Sequence, residues 1–327
     1  MSKLQISIAC GDYDRFRAIR DGEVGVRGCD VQALTVPPEE VFHRAFHNKE
    51  FVVSELSMSS YLSAVDQGIN EYVGIPVYIS RLFRHSAIYV LKGSPIKKPA
   101  DMKGKVVGVP EYTMTAALWV RGFLDDQFGV KPSELRWRTG GLHQPGRTPK
   151  VEVQFPPEIE VQRVQDKALN EMLLSGELDV LISARDPASF GTGEAVRLLP
   201  DYRAAEREYY KQTGIFPMMH IMGIRKDYVE KHPWLPNEVY SAFIEAKRLA
   251  EERLADCAAL SVTLPWLEPE LRETKALMGD DYWPYGVSDN LKTLDAMVRH
   301  AFEHGTTKRK LKIEELFDHS TLERSKV

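Results

Sequence analysis

Short apolar runs of strand length alternate with stretches of helical length along most of this chain, and no other feature restricts its fold as strongly. Strand period or continuous apolarity marks Leu4–Ala9, Phe51–Leu56, Val73–Tyr78, Ser86–Leu91, Val106–Val109 and Val180–Ser183. Pro38–His47, Thr115–Phe128, Val164–Ser175, Asn237–Ala255 and Asp289–His304 have helical spacing. Pro38 followed by Glu39 and Glu40 suits a first helical turn, where a missing N–H costs nothing and acidic groups meet the dipole. Such alternation places helices on the faces of sheets, so an α/β protein is expected.

A length of 327 residues implies two domains. Lys92–Lys103 is turn-rich and basic, and Thr139–Pro157 is irregular enough to read as a long loop or hairpin within a domain. Pro217–Ile224 is an apolar run able to return as a strand to the first sheet. The simplest organisation is a discontinuous first domain, 1–88 plus 200–327, with 89–199 inserted as the second and a ligand cleft between them.

Several classes of function lose support. The 43 Lys+Arg against 47 Asp+Glu give a formal net charge of −4 without a basic stripe, which argues against nucleic acid. No apolar run approaches the ~18 residues of a membrane span. The opening MSKLQISIAC alternates like a half-buried strand rather than a signal peptide, so a cytoplasmic location is expected. Cys10, Cys29 and Cys257 have neither metal-like nor CxxC spacing and read as buried or incidental thiols. There is no GxGxxG, Walker A or GxSxG motif. His300 and His304 lack an HExxH context or a matching carboxylate; they read as a solvated helix face, and no metal site is expected.

Candidate site residues cluster near strand ends. In Gly108–Ala117 a strand stops at Pro110 and a helix starts near Thr115, aiming backbone N–H groups and the Thr113 and Thr115 hydroxyls at an anion, with Tyr112 beside them. In Ile79–Val90, if extended, Arg81, Phe83 and His85 share one face and Arg84 and Ser86 the other. Arginine matches carboxylates and histidine titrates near neutrality, so this cluster suits an active site; which arginine faces the cleft stays open. Arg185 and Asp186 follow VLISA, Ser57, Ser59 and Ser60 follow Leu56, and Asp12, Tyr13 and Arg15 follow strand one. All three groups sit where open α/β sheets bind ligands. His220 lies in the apolar FPMMHIM, while His143 and Arg147 occupy a GGLHQPGR loop that could close over a cleft.

Together these segments resemble the 4,5-dihydroxyphthalate decarboxylase family, within the group built on the type 2 periplasmic-binding-protein fold. The general binding-protein features are DMKGKVVGVPE and the GELDV junction at Gly176–Val180. FRHS, TAALWVRG and GGLHQPGR are more specific to the decarboxylase branch. The cysteine cluster of pyrimidine-forming relatives is absent.

The resemblance implies cofactor-independent conversion of a small aromatic dicarboxylate, 4,5-dihydroxyphthalate or a close analogue, to 3,4-dihydroxybenzoate by ring protonation and CO2 loss. His85 is the expected proton donor, with His220 second and Arg84 beside them. Arg81, Arg185, Arg147, Thr113, Thr115, Ser57, Ser59 and Asp12 are the expected substrate contacts. An arginine on the departing carboxylate would oppose the loss of its charge, so arginine should hold the retained one and Phe83 or Tyr112 should face the leaving group. The alternative is a non-catalytic solute-binding protein, disfavoured by the missing export signal and the Arg/His cluster. Domain-closing enzymes of this size often form homo-oligomers, so a homo-oligomer is one expected assembly.

Overall fold

A computed structural model describes residues 3–322. Its strands run β1 (Leu4–Cys10), β2 (Cys29–Thr35), β3 (Val53–Ser57), β4 (Tyr72–Arg81), β5 (Ile88–Leu91) and β6 (Val106–Val109). They continue with β7 (Arg136–Thr139), β8 (Val161–Arg163), β9 (Val180–Ile182), β10 (Ala195–Arg197) and β11 (Met218–Arg225). Two sheets result, ordered β2-β1-β3-β11-β4 and β10-β5-β9-β6-β7-β8. The first sheet thus takes strands from both sides of the segment that forms the second, with β11 inserted antiparallel between β3 and β4. Pro217–Ile224 returns to that sheet as expected.

β3 is buried along its whole length, as befits a strand between two neighbours with helices on its faces. The carboxyl ends of β1, β3 and β4 share one edge with the amino end of β11. In the second sheet, β6, β7, β8 and β9 run parallel and β5 antiparallel, so their carboxyl ends share an edge with the amino end of β5. Contacts between Ser57 and Thr115 and between Arg84 and Ala184 bring these two edges together. The helix Thr115–Phe128 is buried over its first ten residues and is tied to the first sheet: Trp119 Nε1 donates to the Met218 carbonyl at 2.8 Å.

Three local expectations are corrected. Ile79–Val90 is not one extended run, because β4 ends at Arg81 and a single 3-10 turn at His85–Ala87 precedes β5. The alternation of side chains therefore stops at Arg81. The helix expected over Val164–Ser175 begins only at Leu169, since Val164 N–H is taken by the Thr139 carbonyl in continuation of β8. His300 and His304 are buried rather than solvated: His300 Nε2 lies 2.9 Å from Asp126, and its ring occupies the space a side chain at Gly122 would need. The 140–160 segment is an irregular loop with no hairpin.

β4 carries the main irregularity. Its pairing with β11 slips on both sides of His220. Pro76, which has no N–H to donate, lies within that slip. The carbonyls released there find other donors: Gly286 N–H for Pro76, Trp283 Nε1 for Tyr78, and Arg15 for Ile79. A bulge of this kind re-aims the side chains beside it.

Candidate active site

His220 stands opposite Ser57 on β3 and Ser80 on β4, at the edge where the strand ends gather. Its Nδ1 lies 2.6 Å from Glu55 Oε1. Glu55 is fully buried on β3; its Oε1 also accepts the Tyr13 hydroxyl at 2.7 Å and its Oε2 accepts the Gly11 N–H at 2.7 Å. Burial and the Glu55 charge push the Tyr13 phenol far up, so it stays a donor. A side chain at Gly11 would meet the Tyr13 ring at 2.8 Å, so the turn after β1 needs glycine to seat that ring. With Nδ1 held by Glu55, Nε2 is the nitrogen left for a ligand. The His220 side chain keeps 16% exposure, and Phe42 meets its ring edge-on at 4.7 Å.

Arg84 follows β4 and reaches across to the second sheet. Its Nε lies 3.2 Å from Met219 Sδ and its Nη1 donates to the Ala184 carbonyl at 3.3 Å. Burial pushes its guanidinium down to about 10, so it remains cationic at neutral pH. No carboxylate forms an ion pair with it among the described residues, which leaves most of its donors for an anion. Glu206, raised to about 7 by burial, accepts the backbone N–H groups of His85 and Ser86 and holds the adjoining turn.

Two helix starts meet nearby. Thr115 Oγ1 lies 3.0 Å from Ser57 Oγ and accepts the Ser59 N–H at 3.0 Å, joining the start of Met58–Asp66 to that of Thr115–Phe128. The positive ends of both helix dipoles therefore adjoin this edge. A third cluster joins the 140–160 loop to the helix Pro38–Asn48. Lys150 Nζ pairs with Glu111 at 2.8 Å and with Glu39 at 3.4 Å, while Arg147 bridges the same two acids. Burial opposes the Glu111 charge, yet Lys150 and Arg147 hold its carboxyl below the usual range. Lys150 lies 5.6 Å above the Phe42 ring that packs on His220.

The remaining sequence candidates lie elsewhere. His85 is buried, stacked on Phe123 at 4.1 Å, with Nε2 3.3 Å from Gln127 Oε1. Burial pushes it down to about 4, so it is neutral at physiological pH. Arg81 donates to the carbonyls of Phe216 and Pro284 and to Asn290, tying β4 to the 284–290 loop. Tyr112 is enclosed by Trp137, Phe155 and Arg121, and its hydroxyl donates to the His304 carbonyl. Phe83 stacks on Phe216. Thr113 donates to Glu111, Asp12 pairs with Arg20 at the surface, and Arg185 and His143 are exposed. A cavity of about 420 Å³ at the carboxyl ends of β6 and β7 brings together the expected contacts Tyr112, Thr113 and Arg147 with Thr139 and Phe155; His220, Glu55 and Arg84 do not line it. Among the described residues no three His, Cys, Asp or Glu side chains group to hold a metal ion, and no helix is long and apolar enough to cross a membrane.

Comparison with known proteins decides the family. The chain is 41% identical over 330 residues to the 4,5-dihydroxyphthalate decarboxylase of Comamonas testosteroni, covering 100% of both. It is 40% identical over 214 residues to the Pseudomonas putida protein of the same name, covering 64% of this chain and 83% of that one. The chain belongs to the 4,5-dihydroxyphthalate decarboxylase family. No protein-family model matches it. Among solved structures, the periplasmic aliphatic sulphonate binding protein SsuA of Escherichia coli aligns with a TM-score of 0.51 at 16% identity, over 97% of this chain and 92% of that one. Protein AF1704 of Archaeoglobus fulgidus aligns with a TM-score of 0.51 at 16% identity, over 91% and 96%. The fold is that of the periplasmic binding proteins.

For this member of the decarboxylase family, sequence reading missed Glu55 and Lys150. Glu55 sits in FVVSEL, where strand alternation makes a lone acid read as solvent-facing. Only the pairing of β3 with β11 brings His220 against it.

Proposed function

We propose that this protein is a carboxy-lyase that converts 4,5-dihydroxyphthalate to 3,4-dihydroxybenzoate and CO2, with His220 as the proton donor and Arg84 as the anchor of the retained carboxylate. Two things support the activity: whole-chain membership of the decarboxylase family, and a part-exposed histidine at the strand-end edge fixed through Nδ1, which leaves Nε2 for a ligand. The second observation carries the residue assignment.

The chemistry follows from the substrate. Each carboxylate has a hydroxyl para to it, whose oxygen pushes electron density to the ring carbon bearing that carboxylate. The proton leaves Nε2 of His220 and bonds to that carbon. The C–CO2 bond then breaks, its electron pair restores aromaticity, and His220 regains a proton from solvent. A positioned acid of this kind contributes about 10²–10⁴-fold.

The two carboxylates of free substrate are equivalent, so the protein must distinguish them. Arg84 and the paired helix starts at Met58 and Thr115 favour the anion that stays. Phe42, which meets the His220 ring edge-on, supplies the less polar wall for the group that loses its charge. Incubation with 4,5-dihydroxyphthalate, following CO2 release and formation of 3,4-dihydroxybenzoate, tests the activity. Binding without turnover would overturn it. His220→Gln tests the donor: turnover should fall at least 10²-fold, and near-normal turnover would remove the assignment.

A further inference from the structure

We propose that Glu55 is the positioning residue of the site, holding Nδ1 of His220 so that Nε2 alone exchanges the proton, and that Tyr13 and Gly11 lock the carboxylate in that task. This rests on His220 being the donor. The geometry is specific. Glu55 is fully buried, and among the described residues its carboxylate forms no ion pair with any lysine or arginine. Its three partners are the Gly11 N–H on Oε2, and the Tyr13 hydroxyl and His220 Nδ1 on Oε1. A carboxylate held on both oxygens by donors from two other segments cannot turn away from the imidazole. Its position sets the tautomer, because a neutral His220 must keep its one proton on the nitrogen facing the acid. A buried carboxylate also needs hydrogen-bond donors on its oxygens, and among the described residues the imidazole is the one basic side chain bonded to it.

Tyr13 has a separate part. Its hydroxyl lies 3.5 Å from His220 Nδ1 but 2.7 Å from Glu55, so it acts on the histidine through the carboxylate. Its ring carries the Arg15 guanidinium, 4.6 Å from the centroid, and Arg15 is tied in turn to the Ile79 carbonyl in the irregular part of β4. The bulge, the turn after β1 and β3 thus converge on one carboxylate.

The test uses the full chain labelled with ¹⁵N-histidine. In the wild type, neutral His220 should show the Nδ1–H tautomer, with Nε2 as the bare nitrogen. Glu55→Gln should lose that signature and lower kcat by about 10²–10⁴-fold while KM changes less than about threefold. Glu55→Asp, which restores the charge, should recover the tautomer and part of kcat. Tyr13→Phe should lower kcat about tenfold at constant KM, and it decides the matter if Glu55→Gln does not fold. An unchanged tautomer and kcat in Glu55→Gln, or an unchanged kcat in Tyr13→Phe, would overturn the proposal. Normal turnover in His220→Gln would instead overturn the donor assignment, leaving the tautomer measurement to judge Glu55 by itself.

Discussion

Arg84 places its Nε 3.2 Å from the sulfur of Met219, the residue immediately before His220 on β11. Thioether sulfur is a weak acceptor. The guanidinium is thus held at the amino end of β11, the strand that carries His220, by a contact that gives way readily to a carboxylate. Arg84→Gln should raise KM about 10- to 100-fold, the worth of a charge-assisted hydrogen bond or two, with a smaller change in kcat. Arg84→Lys should recover only part of the loss, because an ammonium lacks the planar fork. Steady-state kinetics on 4,5-dihydroxyphthalate would check both.

Arg81, three residues earlier, should behave in the opposite way. It serves two carbonyls and Asn290 rather than a ligand. Arg81→Ala should lower unfolding free energy by about 3 kcal/mol or more, since several buried acceptors lose their donor. KM of the folded fraction should stay near the wild-type value. Denaturant titration and kinetics on the same samples separate the two effects.

His85 should matter for acid stability and little for turnover. Burial holds it near 4 in the folded protein, whereas the unfolded chain takes up the proton near its ordinary value of about 6.5. Above that pH both states are neutral at this site and it contributes nothing. As pH falls from about 6.5 toward 4 the unfolded state binds more protons, so folding weakens by up to about 3 kcal/mol. The difference in stability between wild type and His85→Leu should therefore change across that window and be constant above it. Urea titrations at several pH values would show this, and kcat of His85→Leu should remain within about threefold.

The ion cluster over Phe42 allows a contrast between its exposed and buried members. Glu39 keeps 42% exposure and Lys150 only 6%. Glu39→Ala should cost less than about 1 kcal/mol, as exposed pairs do. Lys150→Met should cost up to about 3 kcal/mol by removing the nearer of the two cations paired with buried Glu111. The double variant Lys150→Met with Glu111→Gln should recover part of that loss, as a double-mutant cycle would measure.

Much of this fold was legible because its signals are local. Val106–Val109 and Thr115–Phe128 run over the expected bounds, and the return of Pro217–Ile224 followed from an apolar run in a helical region. β8 and β10 have three residues each, too few for periodicity to register. Ile79–Val90 misled because apolar character continues across a turn that breaks the alternation. The candidate site was legible only in part. Arg84, Ser57, Ser59, Thr115 and His220 stand at the strand-end edge that motif position suggested. His85 and Arg81 carry the right chemistry but are committed to packing. Glu55 has no local signal, since its role depends on a partner 165 residues away.

The insertion of β11 between β3 and β4 also bears on synthesis of the protein at the ribosome. β1 to β4 emerge first, yet β3 and β4 are not neighbours in the finished sheet; each awaits a strand ending at Arg225. Until then the nascent chain presents two unpaired strand edges, a template for pairing with other chains. The second sheet, whose strands all lie between Ile88 and Arg197, has every partner it needs before that point. The later-encoded unit can thus complete its pairing first. The strand that closes the earlier one is the strand carrying His220, so a chain truncated before it lacks the strand that joins β3 to β4 as well as the proposed proton donor.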